Sequence, residues 1–441
     1  MPKLQIGTAV AVAAAVMSAV PAAAHDHAAQ RGRLVFADHD APTVGVVDLD
    51  SYEVTHRLDM PRPNPVLTTA QDGRHVVVKT GDEAGTVRIL DTGVTFDSHG
   101  DHHDLEKGEV RLLDLAFTGV RPGHVLSAHG RLAIFFDGDR PWEGDARARV
   151  AFVSLSSLAS ATPEVATWNG PAPQHGIAVP LGDDRWLLSV AKEAYARGDD
   201  RTVSSRPDGF RVVASAGQWR EVAAFHDTAD RDASCKEFHG HAELGGVHAF
   251  GCNQAMDGDE RGDGGVLLIA PRDGGWSARK LDYPDGRRSS TIKAGDGGRY
   301  MVANYGLKAP YDAFLRIDPA AERLSAQDVM PVPGGQATCH YEFTPDGRRM
   351  LNLTADGTLR VYEVEPDWKE VAAFEAIVPP FDCAFGAPTP TPALAVVGGS
   401  AFVSDPANGR IREIHIGALQ QGLDIPVGGR PTRLAAGNHP R

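Results

Sequence analysis

Imidazoles are the groups through which this chain could do chemistry. It carries 18 histidines in 441 residues, and histidine is a common metal ligand that is otherwise only moderately buried. Most of them fall into three groups. The first is His25-Asp26-His27, two rings and a carboxylate on one short segment. The second is the stretch SHGDHHDLEKG, in which His99, Asp101, His102, His103 and Asp104 put three imidazoles and two carboxylates within six residues around Gly100. These are the nitrogen and oxygen donors of a tetrahedral zinc site, with Zn–N near ~2.0–2.1 Å. Neighbouring ligands on one loop cannot close a tetrahedron, so a further donor is needed, from the His25 segment or from His129. The third group appears only at long range: His124 in PGHVLSA, His175 in PQHGIAV and His239 in EFHGHAEL, with His340 similarly placed in CHYEF. Gly-x-Ser-x-Gly elbows, phosphate-binding glycine loops and His-Glu-x-x-His helices are absent.

The elements that must position these residues read as all-β. Gly and Pro are frequent, strand-like runs are short, and no long segment keeps a 3.6-residue apolar period. A unit recurs: an inner strand, a turn often containing Asp-Gly, an apolar strand, a strand ending near Asp, and a more polar outer strand. Copies start at Asn64, Gly123, His175 and Cys339, with weaker ones near His239, Ser289 and Asp382. Their spacing of roughly 45 to 65 residues suits one four-stranded propeller blade each. GGRPTRLAAG at the C-terminus looks like an inner strand with nothing after it. RGRLVFADHDAPTVGVVDLD looks like a unit lacking its inner strand. Pairing these N- and C-terminal strands closes a ring and removes its open edge. The expected fold is therefore a β-propeller of eight four-stranded blades, with seven as the alternative.

In such a ring, the starts of neighbouring inner strands line one mouth of the central channel. His124, His175 and His239, on three consecutive blades, should therefore converge there. The His99 stretch lies between the third and fourth strands of its blade, on the opposite face, and the His25 segment enters on that face too. Two separate metal sites are expected.

The first 24 residues read as a secretory signal: Lys3, an apolar Ala/Val-rich run from about Ile6 to Val20, and a small-residue end at Ala24. Residues 25–31 are then a flexible His/Asp motif and 32–441 a single propeller domain. No later run of about eighteen apolar residues exists, so membrane insertion is not expected. The formal charge of −14 argues against nucleic-acid or anionic-membrane partners and suits a cationic ligand. Four cysteines in an exported chain favour two disulfides over thiolate ligands. Three connectivities are formally possible; Cys235–Cys252 with Cys339–Cys383 fits the repeats.

Several motifs in combination, HGDHHDL, PGHVLSAHGRLAIFFDGD, QHGIAVPLGD, the Cys235 to Cys252 stretch with FHG and AFGC, and SARKLDYP followed by ANYG, make the sequence resemble the periplasmic zinc metallochaperones of the AztD type. The resemblance spans most of the chain. It implies a non-enzymatic β-propeller that binds Zn2+, one or two ions, in the periplasm and passes it to the solute-binding protein of a zinc ABC importer. An N-terminal His/Asp motif assists that transfer in the family; His25, Asp26 and His27 match it in kind but form a short version. The resemblance places metal binding on His99, His102 and Asp104 and on His124, His175 and His239; Asp101, His103 and His129, with His25, Asp26 and His27, are accessory donors by residue type and position. A copper-dependent propeller enzyme and a scaffold for protein partners are the competing classes.

Overall fold

In the computed structural model, eight four-stranded antiparallel sheets follow one another in chain order, each an up-and-down meander. The structure describes residues 31–437 apart from 100–101, 216–217, 227–229, 231–232 and 254–263, and at most the backbone of 97–104. The ring closes as the terminal repeats imply: Pro431–Gly437 is the inner strand of the first blade and pairs with Arg33–Asp38, Arg33 standing opposite Gly437. The inner strands of blades two to eight are Val66–Thr69, Pro122–Ala128, Ala178–Gly182, His239–Leu244, Ile292–Ala294, Thr338–Phe343 and Leu394–Val397. The eighth blade thus begins later than the Asp382 start read from sequence, because 382–393 is a connection that contributes no strand.

The middle strands of each blade are apolar on both faces because both faces are buried. Arg33–Asp38 is buried at every position, and His75–Lys79 at all but its last. Outer strands such as Glu53–Asp59 alternate between exposed and half-buried residues. Each gap between neighbouring blades is sealed by its own core. Val77, Ile89 and Phe117 of the second blade meet Leu132, Ile134 and Phe136 of the third; Phe36 and Val47 of the first meet Phe402 and Ile411 of the eighth. Eight such cores link the ring all the way round. Disulfides join Cys235 to Cys252 and Cys339 to Cys383, and no described cysteine is free. No helix among the described residues is long and apolar enough to cross a membrane.

One departure from the plain repeat bears on function. The SHGDHHDLEKG stretch, read from sequence as a loop, is a β-hairpin of Val94–His99 and Lys107-terminated His102–Lys107, with His99 opposite His102 in the ladder. It is inserted between Val87–Asp91 and Arg111–Phe117, the third and fourth strands of blade two. The Arg33 guanidinium donates to the Gly108 carbonyl at 2.8 Å and to that of Thr92, and the Lys107 ammonium reaches Asp48 at 2.7 Å. These contacts hold the hairpin neck against the first blade, on the face opposite the inner-strand starts.

A candidate metal centre

Of the residues singled out in the sequence, His124, His175 and His239 are brought together. One ring nitrogen from each lies within 4.8 Å of the other two, and all three residues are half-buried. Ring centroids are 4.7 Å apart for His124 and His175, 5.3 Å for His124 and His239, and 5.6 Å for His175 and His239. Among the described residues this is the one group of three or more His, Cys, Asp or Glu gathered so tightly. Nitrogens on a zinc tetrahedron stand roughly 3.3 Å apart, given bonds of ~2.0–2.1 Å. A small inward movement of the rings would close the set, and a tetrahedral ion held by three imidazoles has a fourth position for another ligand.

Backbone irregularities at the strand starts aim these rings. The ladder register shifts between Pro122 and Val125 around His124, and between His239 and His241. Such bulges redirect a side chain that regular pleating would send elsewhere. Gly240 takes up the second bulge at φ +84°, where a Cβ would stand 2.9 Å from the Ser290 carbonyl oxygen. Gly123 is needed for a different reason: a Cβ there would meet Asp137 Oδ1 at 2.4 Å.

The rings are also held from behind. His175 Nδ1 donates to Asp137 Oδ2 at 2.7 Å, and His239 Nδ1 donates to the Ser290 carbonyl at 2.6 Å. Each bond fixes the tautomer that leaves Nε2 unprotonated, as metal-ligating histidines require. Burial, reinforced by the facing His175, His239 and Lys79, holds the His124 pKa well below 6.5. Burial also brings His239 down to about 4, although its bond to Ser290 works the other way. Both rings are therefore neutral, the form that binds metal, throughout the physiological range.

Asp137 and Ser290 are functional partners that sequence reasoning missed. Asp137 directly follows the second strand of its blade, Arg131–Phe136, whereas Asp38 and Asp405 are the last residues of the equivalent strands in the first and eighth. Those two serve local structure: Asp38 accepts from the Asp40 and Ala41 amides at 2.9 and 3.0 Å, and Asp405 holds Asn408 and Arg410. The repeat alone therefore reads Asp137 as another turn carboxylate. It is 4% exposed, and its Oδ1 is buried without a hydrogen-bond partner. Replacing Asp137 by Asn should leave the fold intact and weaken metal binding at this centre by about 10–100-fold, the usual cost of losing an outer-shell carboxylate. Competition against a chromophoric chelator reads this directly; unchanged affinity would show that Asp137 does not support His175 as a ligand.

The other expected donors are not part of this centre. His129 occupies a left-handed turn position, φ 49°, after Pro122–Ala128 and lies beside Gly182 of the fourth blade. His340 is on the inner strand of blade seven, outside the group. His241 and His248 are strand residues, and His248 is 3% exposed. The side chains of His99, Asp101, His102, His103 and Asp104, and all of His25, Asp26 and His27, lie outside the described residues.

No family model matches the chain. It is 27% identical to the zinc chaperone AztD of Citrobacter koseri over 99% of its own length and 93% of that protein's. The crystal structure of C. koseri AztD superposes with a TM-score of 0.74 at 26% identity, covering 92% of this chain and 97% of that one. The apo form of the same protein gives 0.72 with the same identity and coverage. In sequence along nearly its whole length and in fold, the chain is thus similar to AztD, and the resemblance seen in its motifs is borne out.

Proposed function

We propose that this protein is a periplasmic zinc metallochaperone that holds Zn2+ at His124, His175 and His239 and hands it to the solute-binding protein of a zinc ABC importer. The observation that carries this reading is the triad itself, three imidazoles from three consecutive blades with two of them oriented by buried acceptors. Its similarity along nearly the whole chain to the C. koseri zinc chaperone supports it. A half-buried three-nitrogen site with an open fourth position suits a carrier: an incoming ligand from the acceptor can enter before the others leave. The chain acts as a carrier and not as an enzyme.

The remaining sequence expectations belong to the same proposal. Residues 1–24 direct export and are removed, 25–31 carry the His/Asp motif, and 32–441 are the propeller. His99, His102 and Asp104, with Asp101 and His103, provide the second zinc site. The anchoring of Arg33 at the hairpin neck supports placing the tail beside that hairpin. A tether of this kind raises the effective concentration of His25, Asp26 and His27 near it. The test is elemental analysis of protein taken from the periplasm, followed by stopped-flow transfer to the cognate solute-binding protein. Zinc should predominate over copper, and transfer should outrun release to a small chelator. Deleting residues 25–29 should slow transfer and leave the propeller folded with zinc at the triad. Copper or no metal in the native protein, or equal rates to acceptor and chelator, would contradict the reading.

A further inference from the structure

Below the triad, the fifth blade carries a second pair of imidazoles. His241 follows His239 on the inner strand, and His248 lies on the adjoining strand with Glu243 directly opposite it in the ladder. His241 stands opposite Phe250, so pleating puts His241, Glu243, His248 and Phe250 on one face of the sheet. The His241 ring stacks on Phe250 at 5.1 Å, and Phe250 packs with Phe210 and Ile177 of blade four. His241 Nε2 is 3.3 Å from His248 Nδ1, with the rings 18° from parallel.

Two neutral imidazoles offer two donors and two acceptors between them, and neither ring leaves a fully buried nitrogen without a partner. A single N–H···N bond would employ only half of them, and 3.3 Å is longer than the roughly 2.7–3.2 Å of ordinary nitrogen-donor bonds. The same separation is close to the ~3.3 Å edge spanned by two nitrogens on a tetrahedral zinc. Glu243, directly across the ladder from His248, is the carboxylate on this face, and its oxygens are not gathered within 4.8 Å of the two ring nitrogens as the triad's donors are. Glu243 is exposed at the end of the strand, and its carboxylate accepts one long bond, 3.3 Å, from the Gly246 amide. His129, beside Gly182 of blade four, acts electrostatically on His248 from blade three.

We propose that His241, His248 and Glu243 form a further metal site, for a divalent transition ion of the zinc and cobalt kind that accepts mixed imidazole and carboxylate ligands. At about 3.3 Å of rise per residue, this site lies roughly 10 Å deeper than His239, toward the face from which the His99 hairpin emerges. It provides a station between the two faces of the ring, and it does not depend on the triad holding zinc.

Anomalous diffraction from crystals of the protein soaked in millimolar Zn2+ or Co2+ tests it. A peak within bonding distance of both His241 Nε2 and His248 Nδ1, separate from any peak at the triad, is expected. His248→Gln should abolish that peak and spare the triad. Glu243→Gln, at an exposed position that the fold does not need, should lower its occupancy. A triad peak with nothing between His241 and His248 overturns this site and leaves the proposed function standing. A peak here with none at the triad does the reverse, and the absence of both overturns both.

Discussion

Replacing His124 and His175 together by alanine is expected to remove one tightly held zinc from the protein and weaken binding at that centre by at least ~10³-fold. Zinc sites in small proteins are worth about 10–16 kcal/mol, so each ligand carries several kcal/mol. Removing two of three would leave His239 alone beside the Ser290 carbonyl, and a lone imidazole competes poorly with water. The propeller should survive the change. The three rings cluster with one another at the channel mouth, and none of them belongs to the apolar contacts that seal the blade gaps. Competition with a chromophoric chelator gives the affinity, and Co2+ substitution shows whether a tetrahedral spectrum disappears. The companion variant, His102→Ala with Asp104→Ala, should leave this equivalent untouched, since the hairpin leaves blade two on the opposite face. Full zinc retention by the His124/His175 variant would end the assignment of the triad as the carrier site.

The metal-free protein should lose stability steeply as pH falls from about 6.5 toward 4, while the zinc-loaded protein resists. Burial brings His340 down to about 4, and the nearby Lys293 and Arg433 push the same way. His248 is also held at about 4 and His241 well below 6.5, again chiefly by burial. His124 and His239 add to the set. The sign follows from proton uptake. An unfolded chain protonates these rings near 6.5, whereas the folded chain holds all of them lower and His239, His248 and His340 at about 4, so across that window the unfolded state binds more protons and stability declines with falling pH. Each unit of pKa difference is worth ~1.4 kcal/mol, and several rings act in the same window. Zinc bound at the triad keeps its rings neutral and favours the native state in proportion to its affinity, until acid displaces it. Thermal unfolding of apo and zinc-loaded protein at pH 7, 5.5 and 4.5 measures the effect, and His340→Gln should flatten part of the apo curve. A flat apo profile across this window would mean that these imidazoles are not held neutral by the fold.

Much of the architecture could be read from residue order because its causes are local. Runs such as VVV in His75–Lys79 or LAIFF in Arg131–Phe136 are apolar at consecutive positions, as strands covered on both faces must be. Asp-Gly pairs mark the turns, and the repeat of four strands implies the blade. Even ring closure was legible, because an orphan inner strand at one end and an incomplete unit at the other have one way to satisfy both hydrogen-bonding edges. The hairpin was less legible. Its alternation is masked by charged and imidazole side chains, and its pairing depends on a neck pinned by Arg33 and Lys107 from another blade.

The site divides along the same line. By itself the sequence determined that His124, His175 and His239 begin inner strands of consecutive blades, which is enough to aim them at one mouth. Only the tertiary structure decided that they meet within 4.8 Å, that His340 on the seventh blade does not join them, and that His241 pairs with His248. It alone decided that Asp137 serves His175 where its counterparts Asp38 and Asp405 serve their own turns. The physical reason is distance along the chain. Strand periodicity and turn chemistry act over a few residues, whereas the triad and the His175–Asp137 contact join groups dozens of residues apart. Their separation is set by the curvature of the whole ring and by the bulges beside His124 and His239.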